Sequence, residues 1–256
     1  FRRVLFRSGH GVAEIVEATS RLRRQGFKVY YHWMPGLPGS SAERDLEMTQ
    51  LLFDDPRFRP DGLKLYPTVV VQGSELEKWY EEGRFSPCSI EEMRGLLARM
   101  KMLVPPYVRI ARLMRDIPRK FIVAGCDDLS LRSTVKERMR QLGTDCQCVR
   151  CREYGHRRRD GWNIGEPGLR RLGYETADGE EIMLSYEDEQ GTLYALLRLS
   201  LTGPETEGST APMATVRELH VYGPEVALGE RDDTAAQHRG LGARLLSEAE
   251  RVAEAE

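Results

Sequence analysis

Apolar residues recur at helical and strand spacing through the first part of the chain. The segment Val12–Leu22 has a helical apolar pattern, Gly26 follows as a stop signal, and Phe27–Trp33 is a short β-rich run. Leu63–Tyr66 and Tyr107–Leu113 are further strand candidates. Helix starts are predicted where a serine precedes a glutamate by three residues, at Ser40/Glu43, Ser74/Glu77 and Ser89/Glu92. Helices that alternate with buried strands predict parallel α/β layers.

The pattern changes in the second half of the chain. Leu129–Leu142 predicts a basic helix, and a cysteine-rich segment follows it. Asp178-Gly179 and Gln190-Gly191 are turn signals, and the alternation along Leu193–Leu199 predicts one apolar strand face. Val216–Tyr222 is another strand candidate, and it leads through a glycine-rich turn into a final amphipathic helix. These elements predict an antiparallel meander, in a second domain that begins near residue 165.

Composition and charge narrow the class of protein. The chain has 256 residues, 40% of them apolar, which is enough for two cores. No apolar run approaches the length of a membrane span, and five cysteines without a secretory signal favour a reducing compartment, with the cytoplasm as default. The net charge is only -2, yet residues 99–159 hold sixteen Lys or Arg against six Asp or Glu. Such a stretch is typical of a polyanion-binding surface, although a solvated helix face is the alternative.

The glycine-rich turn before the final helix is a candidate anion site. Glycines let the backbone approach a phosphate closely, and the N–H groups at a helix start favour negative charge. The pattern predicts a cradle for the pyrophosphate of coenzyme A, whereas tight packing is the alternative. A dinucleotide fold or P-loop is disfavoured because the turn follows a meander and lacks the G-K-[ST] signature. The cofactor-binding candidates are Gln237, His238, Arg239, Gly240, Leu241 and Gly242.

Three cysteines and a histidine form a candidate metal site. Cys146, Cys148, Cys151 and His156 lie within eleven consecutive residues, and ligands of these types suit structural zinc in tetrahedral geometry. Cys126 is a rival fourth ligand. The alternative is that the cysteines are reduced and bind no metal.

Polar side chains also occur at the ends of predicted strands. His32 begins a segment rich in proline and glycine, and Lys64 and Tyr66 occupy the next strand. Loops at the carboxyl ends of α/β barrel strands commonly contact ligands. These three residues are therefore the catalytic candidates, with a structural role for His32 as the alternative.

Taken together, the segments of the chain resemble one known family. YHWMPGLPGS, LKLYPTVVVQGSELEKWYEEG, VRIARLMRDIP, CQCVRCREYGH, RELHVYG and QHRGLGARLLSEAE occur in the order of the Elongator catalytic subunit, in its bacterial or archaeal form. The resemblance implies an α/β fold in three parts. We expect the C-terminal part of a radical SAM (β/α) partial barrel at 9–116, a basic linker with a zinc loop at 117–164, and an incomplete GNAT-like acetyltransferase domain at 165–256. Residues 1–8 are expected to be a non-native leader.

The resemblance also implies a function. Members of this family use acetyl-CoA and S-adenosylmethionine radical chemistry at an iron–sulfur cluster to form 5-carboxymethyluridine at the tRNA wobble position. On that basis Gln237 to Gly242 hold coenzyme A, Cys146, Cys148 and Cys151 hold zinc, and tRNA is bound by a set of basic residues. These are Arg109, Arg112, Arg115, Arg119, Lys120, Arg150, Arg152, Arg157 and Arg158. The family's cluster-binding cysteines precede this sequence, so we expect the parent protein to be the enzyme and this fragment to be inactive.

Two rival functions share part of this pattern. A protein (lysine) N-acetyltransferase explains the glycine motif but leaves the arginine-rich stretch without a role. A noncatalytic tRNA-binding scaffold explains the arginines and treats the glycine motif as vestigial. The expected partners are tRNA and acetyl-CoA, with no membrane, while a homodimer and accessory subunits are left open.

Overall fold

The structure is a computed structural model, and it describes residues 9–202, 213–223 and 240–255. The helices of these residues are α1 (Val12–Arg24), α2 (Ala42–Asp54), α3 (Glu75–Glu81), α4 (Ile90–Met102), α5 (Leu131–Gln141), α6 (Val149–Arg152), α7 (Tyr154–Arg159) and α8 (Leu241–Ala255). The strands are β1 (Tyr30–Trp33), β2 (Gly62–Leu65), β3 (Val69–Val71), β4 (Arg109–Arg112), β5 (Ile122–Gly125), β6 (Gly168–Thr176), β7 (Gly179–Glu187), β8 (Leu193–Thr202) and β9 (Met213–Val221).

The chain divides into two compact units. The parallel-sheet unit comprises Tyr30–Asp54 and Asp61–Cys148. The meander unit comprises the chain up to Val29, Asp55–Pro60, and the chain from Val149 onwards. The described helices include none long and apolar enough to cross a membrane.

The parallel-sheet unit is built on three strands in the order β1-β2-β4, all parallel. Leu63, Leu65 and Ile110 lie on one side of this sheet and are almost completely buried, as is Leu97 of α4. This burial accounts for the apolar residues on that side of β2 and β4, since the faces of a parallel sheet are normally covered. The strands thus agree with the predicted parallel α/β layers. A separate antiparallel pair, β3 with β5, was not predicted.

The meander unit contains an antiparallel sheet in the order β6-β7-β8-β9. Turns at residues 177–178 and 189–190 join its first three strands, so the predicted hairpins are confirmed. Helix α8 supplies Leu241, Leu245, Ala249 and Val252 to one apolar core with the sheet. Parallel and antiparallel sheets therefore occur in one chain, which confirms a mixed α/β class.

Strand β8 differs from its prediction. Alternation predicted one buried face, but residues on both faces are buried, including Arg198 and Ser200 at 2% exposure each. The second face includes buried polar residues that are paired: the Ser200 hydroxyl donates to Glu181 at 2.8 Å, and Arg217 of β9 donates to the same carboxylate at 2.7 Å. A central strand that is covered on both sides can bury polar residues when they are paired.

Some predicted boundaries were wrong by a few residues. Strand β1 begins at Tyr30 rather than Phe27. Helix α2 is capped by Ser41, whose hydroxyl accepts the Arg44 N–H at 3.2 Å, whereas the Ser40 hydroxyl donates to Asp45 at 2.7 Å. The cap at Ser89 is confirmed, with both hydrogen bonds of the capping box present.

Candidate functional site

The parallel sheet presents a second face that carries polar and cationic residues. Side chains at paired positions of parallel strands point to the same side of the sheet. Tyr30, Gly62 and Arg109 form one row across β1, β2 and β4, and His32, Lys64 and Arg112 form the next. Their exposure is intermediate or high apart from Gly62, whereas Leu63 and Leu65 of the other face are buried. We call these two rows, with Tyr66 and Arg115, the cationic sheet face.

Gly62 makes room for an aromatic ring on this face. A Cβ atom at this position would lie 2.3 Å from the ring of Tyr30. Only glycine therefore allows the Tyr30 ring to lie over β2. A glycine inside a strand often marks such a close approach, so Gly62 was the sequence signal for this contact.

His32, Tyr66 and Arg115 are in mutual proximity at the carboxyl ends of the strands. The rings of His32 and Tyr66 meet edge to face with centroids 5.2 Å apart, and the Arg115 guanidinium lies 5.7 Å from the Tyr66 ring centroid. Tyr66 is held in place because its backbone N–H donates to the Trp33 carbonyl at 2.8 Å. The three catalytic candidates His32, Lys64 and Tyr66 are thus brought together, with Arg115 beside them.

The electrostatics of this group favour a neutral imidazole. Partial burial lowers the pKa of His32 below its usual 6.5, and the positive charges of Lys64 and Arg115 lower it further. Hence His32 is mostly uncharged at pH 7. A neutral imidazole can accept one hydrogen bond and donate another, while the two cations attract negative charge. The site can therefore hold an anionic ligand and exchange a proton with it.

The loop after β1 is held by an internal carboxylate. Asp45 of α2 accepts the Gly36 N–H at 2.7 Å and the Ser40 hydroxyl at 2.7 Å. Gly36 has a φ of 77°, a backbone conformation that glycine adopts readily. The same loop lines a cavity of about 200 Å³ together with Arg84 and Cys88. The proline- and glycine-rich segment is therefore a shaped loop at the edge of the sheet.

Several arginines of the predicted tRNA-binding set lie at the surface. Arg112 and Arg119 are exposed and form ion pairs with Asp116 and Asp127, the latter at 2.8 Å. Lys120 is exposed and lies 4.9 Å from the ring centroid of Phe121. In the meander unit, Arg158 is exposed and Arg150 is partly exposed. Exposed ion pairs of this kind are weak, so these side chains can exchange an internal carboxylate for a phosphate.

Two arginines of that set have internal roles instead. Arg152 is 2% exposed and pairs with Glu187 at 2.6 Å. Arg157 is 3% exposed, donates to the Gln190 carbonyl at 2.6 Å and lies 4.2 Å from the centroid of the Trp162 ring. The charge pattern could not separate buried from exposed arginines. We therefore leave Arg152 and Arg157 out of the proposed tRNA-binding surface.

The cysteine loop (Cys146–Cys151) brings three thiols together. The Sγ atoms of Cys146, Cys148 and Cys151 lie within 4.8 Å of one another, and the first two cysteines are buried. Thiolates bound to one zinc ion at about 2.3 Å in tetrahedral geometry are about 3.8 Å apart. The three thiols are thus close to the spacing that a tetrahedral metal ion requires, and none of them forms a disulfide.

His156 does not join this group. In the described residues the candidate ligand cluster contains the three cysteines only, without His156 or Cys126. Helix α7 directs the His156 ring elsewhere, since its Nε2 lies 3.3 Å from a Glu153 carboxylate oxygen and its Nδ1 lies 3.0 Å from Arg159. The structure thus does not bring His156 into the ligand cluster in this conformation.

The glycine turn is described only in its second half. Gln237, His238 and Arg239 lie outside the described residues. Gly240 has a φ of 72°, and among the described residues no atom lies within 4 Å of the position that its Cβ would take, while a Cβ at Gly242 would contact Val221. Leu241 is buried in the apolar core, so its side chain is unavailable and only its backbone can face a ligand.

Comparison with known proteins gives consistent similarities. Residues 60–141 match the family described as the Radical_SAM C-terminal domain. The chain is 54% identical over 253 residues to a tRNA uridine(34) acetyltransferase of Dehalococcoides mccartyi (strain CBDB1), covering 97% of this chain and 55% of that protein. It is 41% identical over 255 residues to Elongator complex protein 3 of Homo sapiens, covering 97% of this chain and 46% of that protein.

A solved structure is similar over almost the same length. The archaeal Methanocaldococcus infernus Elp3 with an N-terminal deletion superposes with a TM-score of 0.85 at 40% identity, covering 96% of this chain and 59% of that one. The chain thus spans about half the length of the curated relatives it matches. In sequence and in fold, the chain is therefore similar to the Elongator catalytic subunit over nearly all of its own length.

Proposed function

We propose that this chain is part of a tRNA-modifying enzyme that forms 5-carboxymethyluridine at the wobble position from acetyl-CoA. The observation that carries the proposal is the 54% identity, over 97% of the chain, to a protein named tRNA uridine(34) acetyltransferase. The concentrated basic stretch supports a polyanionic substrate independently of that similarity, because each phosphate contact releases counterions.

In this proposal the parallel-sheet unit is the C-terminal part of a radical SAM barrel. Its match to the Radical_SAM C-terminal domain supports this assignment. S-adenosylmethionine with an iron–sulfur cluster supplies radical chemistry when bound, and we assign no cluster ligand to this chain. The residues of this chain bind and orient the substrate: Lys64 and Arg115 attract its negative charge, and neutral His32 holds or moves a proton at an imidazole nitrogen.

The meander unit is proposed to be a GNAT-like acetyltransferase domain, incomplete within this sequence. Its antiparallel strands lead into α8, and the positive φ of Gly240 just before this helix supports a role for the α8 start in binding the pyrophosphate of coenzyme A. Backbone N–H groups at a helix start supply hydrogen bonds and a favourable dipole for phosphate oxygens.

The cysteine loop is proposed to hold a structural zinc ion through Cys146, Cys148 and Cys151. In this proposal a Cys148→Ser variant loses most of its bound zinc, because a hydroxyl is a far poorer zinc ligand than a thiolate. Metal analysis of the purified protein measures the change. Cys88→Ser is the matched control, since Cys88 lies outside the cluster. Equal zinc content in the Cys148 variant and the wild type would remove the loop from the proposal.

The function is tested with the full-length protein. It is expressed anaerobically and incubated with tRNA, S-adenosylmethionine and acetyl-CoA, and digested tRNA is analysed by mass spectrometry for carboxymethyluridine. We expect this nucleoside only when all three are present. Acetylated peptide without modified tRNA would indicate a protein N-acetyltransferase. Salt-dependent tRNA binding without coenzyme A affinity or product would indicate a scaffold.

A further inference from the structure

Strand β6 forms one edge of the antiparallel sheet in the meander unit. Within the described residues, β7 is the only strand that pairs with it. Its residues are exposed or half-exposed at every position before Thr176, whereas β8 in the middle of the sheet is buried almost throughout. An edge strand presents backbone N–H and C=O groups that can pair with a further strand.

β6 lacks most of the features that usually prevent such pairing. Edge strands of natural proteins are commonly very short, or are interrupted by a proline or a β-bulge. β6 has nine residues, contains no proline, and keeps a regular register with β7 along its whole length. The remaining protection is charge, and the charged residues Arg170, Arg171 and Glu175 have both signs. Whether they prevent pairing depends on which residues a partner strand sets opposite them.

The hairpin turn determines which backbone groups of β6 face outwards. A two-residue turn follows Thr176, and the residues that flank such a turn exchange backbone hydrogen bonds. Alternate residues counted back from Thr176 therefore bond to β7, and the backbone groups of Arg171, Gly173 and Glu175 point away from it. The hydrogen bond of 2.6 Å from the Arg59 guanidinium to the Glu175 carbonyl agrees with this direction.

The side chains of this outward-facing set lie on one face of the sheet, close to a second glutamate. Glu175 is directly opposite Glu180 of β7, and like charges at such positions repel each other. The Arg171 guanidinium lies 3.9 Å from the Glu180 carboxylate. A Cβ at Gly173 would lie 2.6 Å from a Glu180 carboxylate oxygen, so this carboxylate lies over the glycine. A partner strand that sets a cation opposite Glu175 would relieve the repulsion between the glutamates.

We propose that β6 pairs with β6 of a second copy of this chain, in antiparallel orientation and centred on Gly173. In this register Arg171 of each copy lies opposite Glu175 of the other, and Leu172 lies opposite Tyr174. Opposite charges stabilise directly opposed strand positions, and the contact of Leu172 with Tyr174 removes apolar surface from water. The Glu175 carbonyl can accept from the partner strand as well as from Arg59, because a carbonyl oxygen has two lone pairs.

Neighbouring registers do not match the charges in this way. Residues that oppose each other across a sheet lie on the same face, so a symmetric pair is defined by its central residue. Centring the pair on Leu172 sets Arg171 opposite Gly173, and centring it on Tyr174 sets Glu175 opposite Gly173. Centring it on Arg171 sets two cations opposite each other. Among these registers, the one centred on Gly173 alone opposes charges of opposite sign.

A cysteine at the centre of the pair tests the proposal. The Cα atoms of a hydrogen-bonded antiparallel pair are about 5.5 Å apart, which suits a disulfide. We expect full-length Gly173→Cys protein to form a covalent dimer in oxidised glutathione, and mass spectrometry of the linked peptides identifies position 173 in both copies. Leu169→Cys is the matched control, because Leu169 is exposed on the same strand but its two copies would lie about 27 Å apart. The wild type reports any cross-link through the native cysteines.

Charge exchange tests the register. With Gly173→Cys present, Arg171→Glu is expected to lower the yield of the covalent dimer about tenfold, because it sets like charges opposite each other in both halves of the pair. Adding Glu175→Arg is expected to restore most of the yield. The same charge variants without the new cysteine are compared by sedimentation, so the test does not depend on the folding of Gly173→Cys. Circular dichroism establishes that each variant is folded.

Three results would overturn the proposal. The first is folded Gly173→Cys protein that forms no dimer linked at position 173. The second is a dimer that Arg171→Glu leaves unchanged in both measurements, which would assign dimer formation to another surface. The third is equal cross-linking of Leu169→Cys and Gly173→Cys, which would indicate random collision. None of these measurements uses tRNA or acetyl-CoA, so their outcome is independent of the proposed function.

Discussion

Asp128 illustrates how one side chain can fix the start of a helix. Its carboxylate accepts hydrogen bonds from the Ser130 N–H at 2.9 Å, the Ser130 hydroxyl at 2.7 Å and the Thr134 hydroxyl at 2.8 Å. It also pairs with Arg94 at 2.8 Å, which ties α5 to α4. Burial alone would raise the pKa of Asp128, but these hydrogen bonds outweigh it and hold the pKa well below its ordinary range.

This depressed pKa predicts a pH dependence of stability. The charged form of Asp128 stabilises the fold above the unfolded pKa of about 3.9, and that contribution is lost as the pH falls toward the lower folded value. We expect Asp128→Asn to lower the free energy of unfolding by about 1–3 kcal/mol at pH 7. The loss should shrink as the pH approaches 2. Urea denaturation at several pH values measures both effects.

The control for this prediction is Asp54→Asn. Asp54 is exposed at the end of α2 and accepts hydrogen bonds from Gln50. Its replacement should change stability by less than about 0.5 kcal/mol, as most surface substitutions do. A pH profile of Asp128→Asn that parallels that of the wild type would contradict the assigned role of the Asp128 carboxylate.

Individual site residues were predictable to different degrees. The closeness of His32, Lys64 and Tyr66 was predictable because the ends of neighbouring parallel strands lie at one edge of a sheet. Their catalytic role stays a prediction. The direction of the His156 side chain depends on the residue at which the short helix α7 begins. A helix of six residues is too short for the sequence pattern to predict this. The burial of Arg157 could not be predicted from the sequence either, because the carbonyl of Gln190 that accepts its hydrogen bond is far away in sequence.

At the scale of elements, a feature set by neighbouring residues was predicted correctly, whereas a pairing between strands distant in sequence was not predicted. Helix α4 starts where its serine–glutamate spacing predicted, because capping is satisfied within four residues. The antiparallel pair of β3 and β5 was missed, since strands of three and four residues show no usable alternation. Their pairing joins segments about fifty residues apart. Such contacts are set by the packed fold rather than by local pattern.

The cap of α4 gives a prediction at this scale. The Ser89 hydroxyl accepts the Glu92 N–H at 3.3 Å, so Ser89→Ala leaves a helix-start N–H without its side-chain acceptor. We expect a loss of about 1 kcal/mol in the free energy of unfolding, measured by chemical denaturation. Ser133→Ala, at an exposed position inside α5, serves as the control and should be nearly neutral. Equal stability of wild type and Ser89→Ala would argue against this cap.

The contact of α1 with the meander sheet gives a second prediction. Arg217 is the extra residue of a β-bulge in β9, and its buried guanidinium pairs with Glu181 at 2.7 Å. Arg23 of α1 approaches the same carboxylate at 3.8 Å. Arg217→Met should destabilise the chain by about 3–5 kcal/mol, because a buried carboxylate loses its closest cation. Thermal unfolding measures this loss, and the double variant Arg217→Met/Glu181→Leu should recover part of it.

At the scale of the whole molecule, charge is distributed unevenly. Residues 99–159 have an excess of ten positive charges in a chain whose net charge is -2. The excess of positive charge could be counted in the sequence. The sequence did not show which arginines of this stretch are exposed and which are buried. Burial of Arg152 and Arg157 lowers the number of cations that can face a ligand. The remaining exposed cations determine how strongly binding of RNA should depend on salt.

Exposed cations of the parallel-sheet unit can be tested through that salt dependence. Each lysine or arginine that neutralises an RNA phosphate contributes about one unit or slightly less to the slope of log K against log salt concentration. Replacing Arg119 and Lys120 by glutamine should therefore reduce the slope by about 1.5 and weaken tRNA binding at low salt. A double replacement of Arg21 and Arg44, both exposed outside the basic stretch, should leave the slope unchanged. If both double variants bind tRNA like the wild type, Arg119 and Lys120 belong to a solvated surface, and phosphate binding must be assigned to other cations of the stretch.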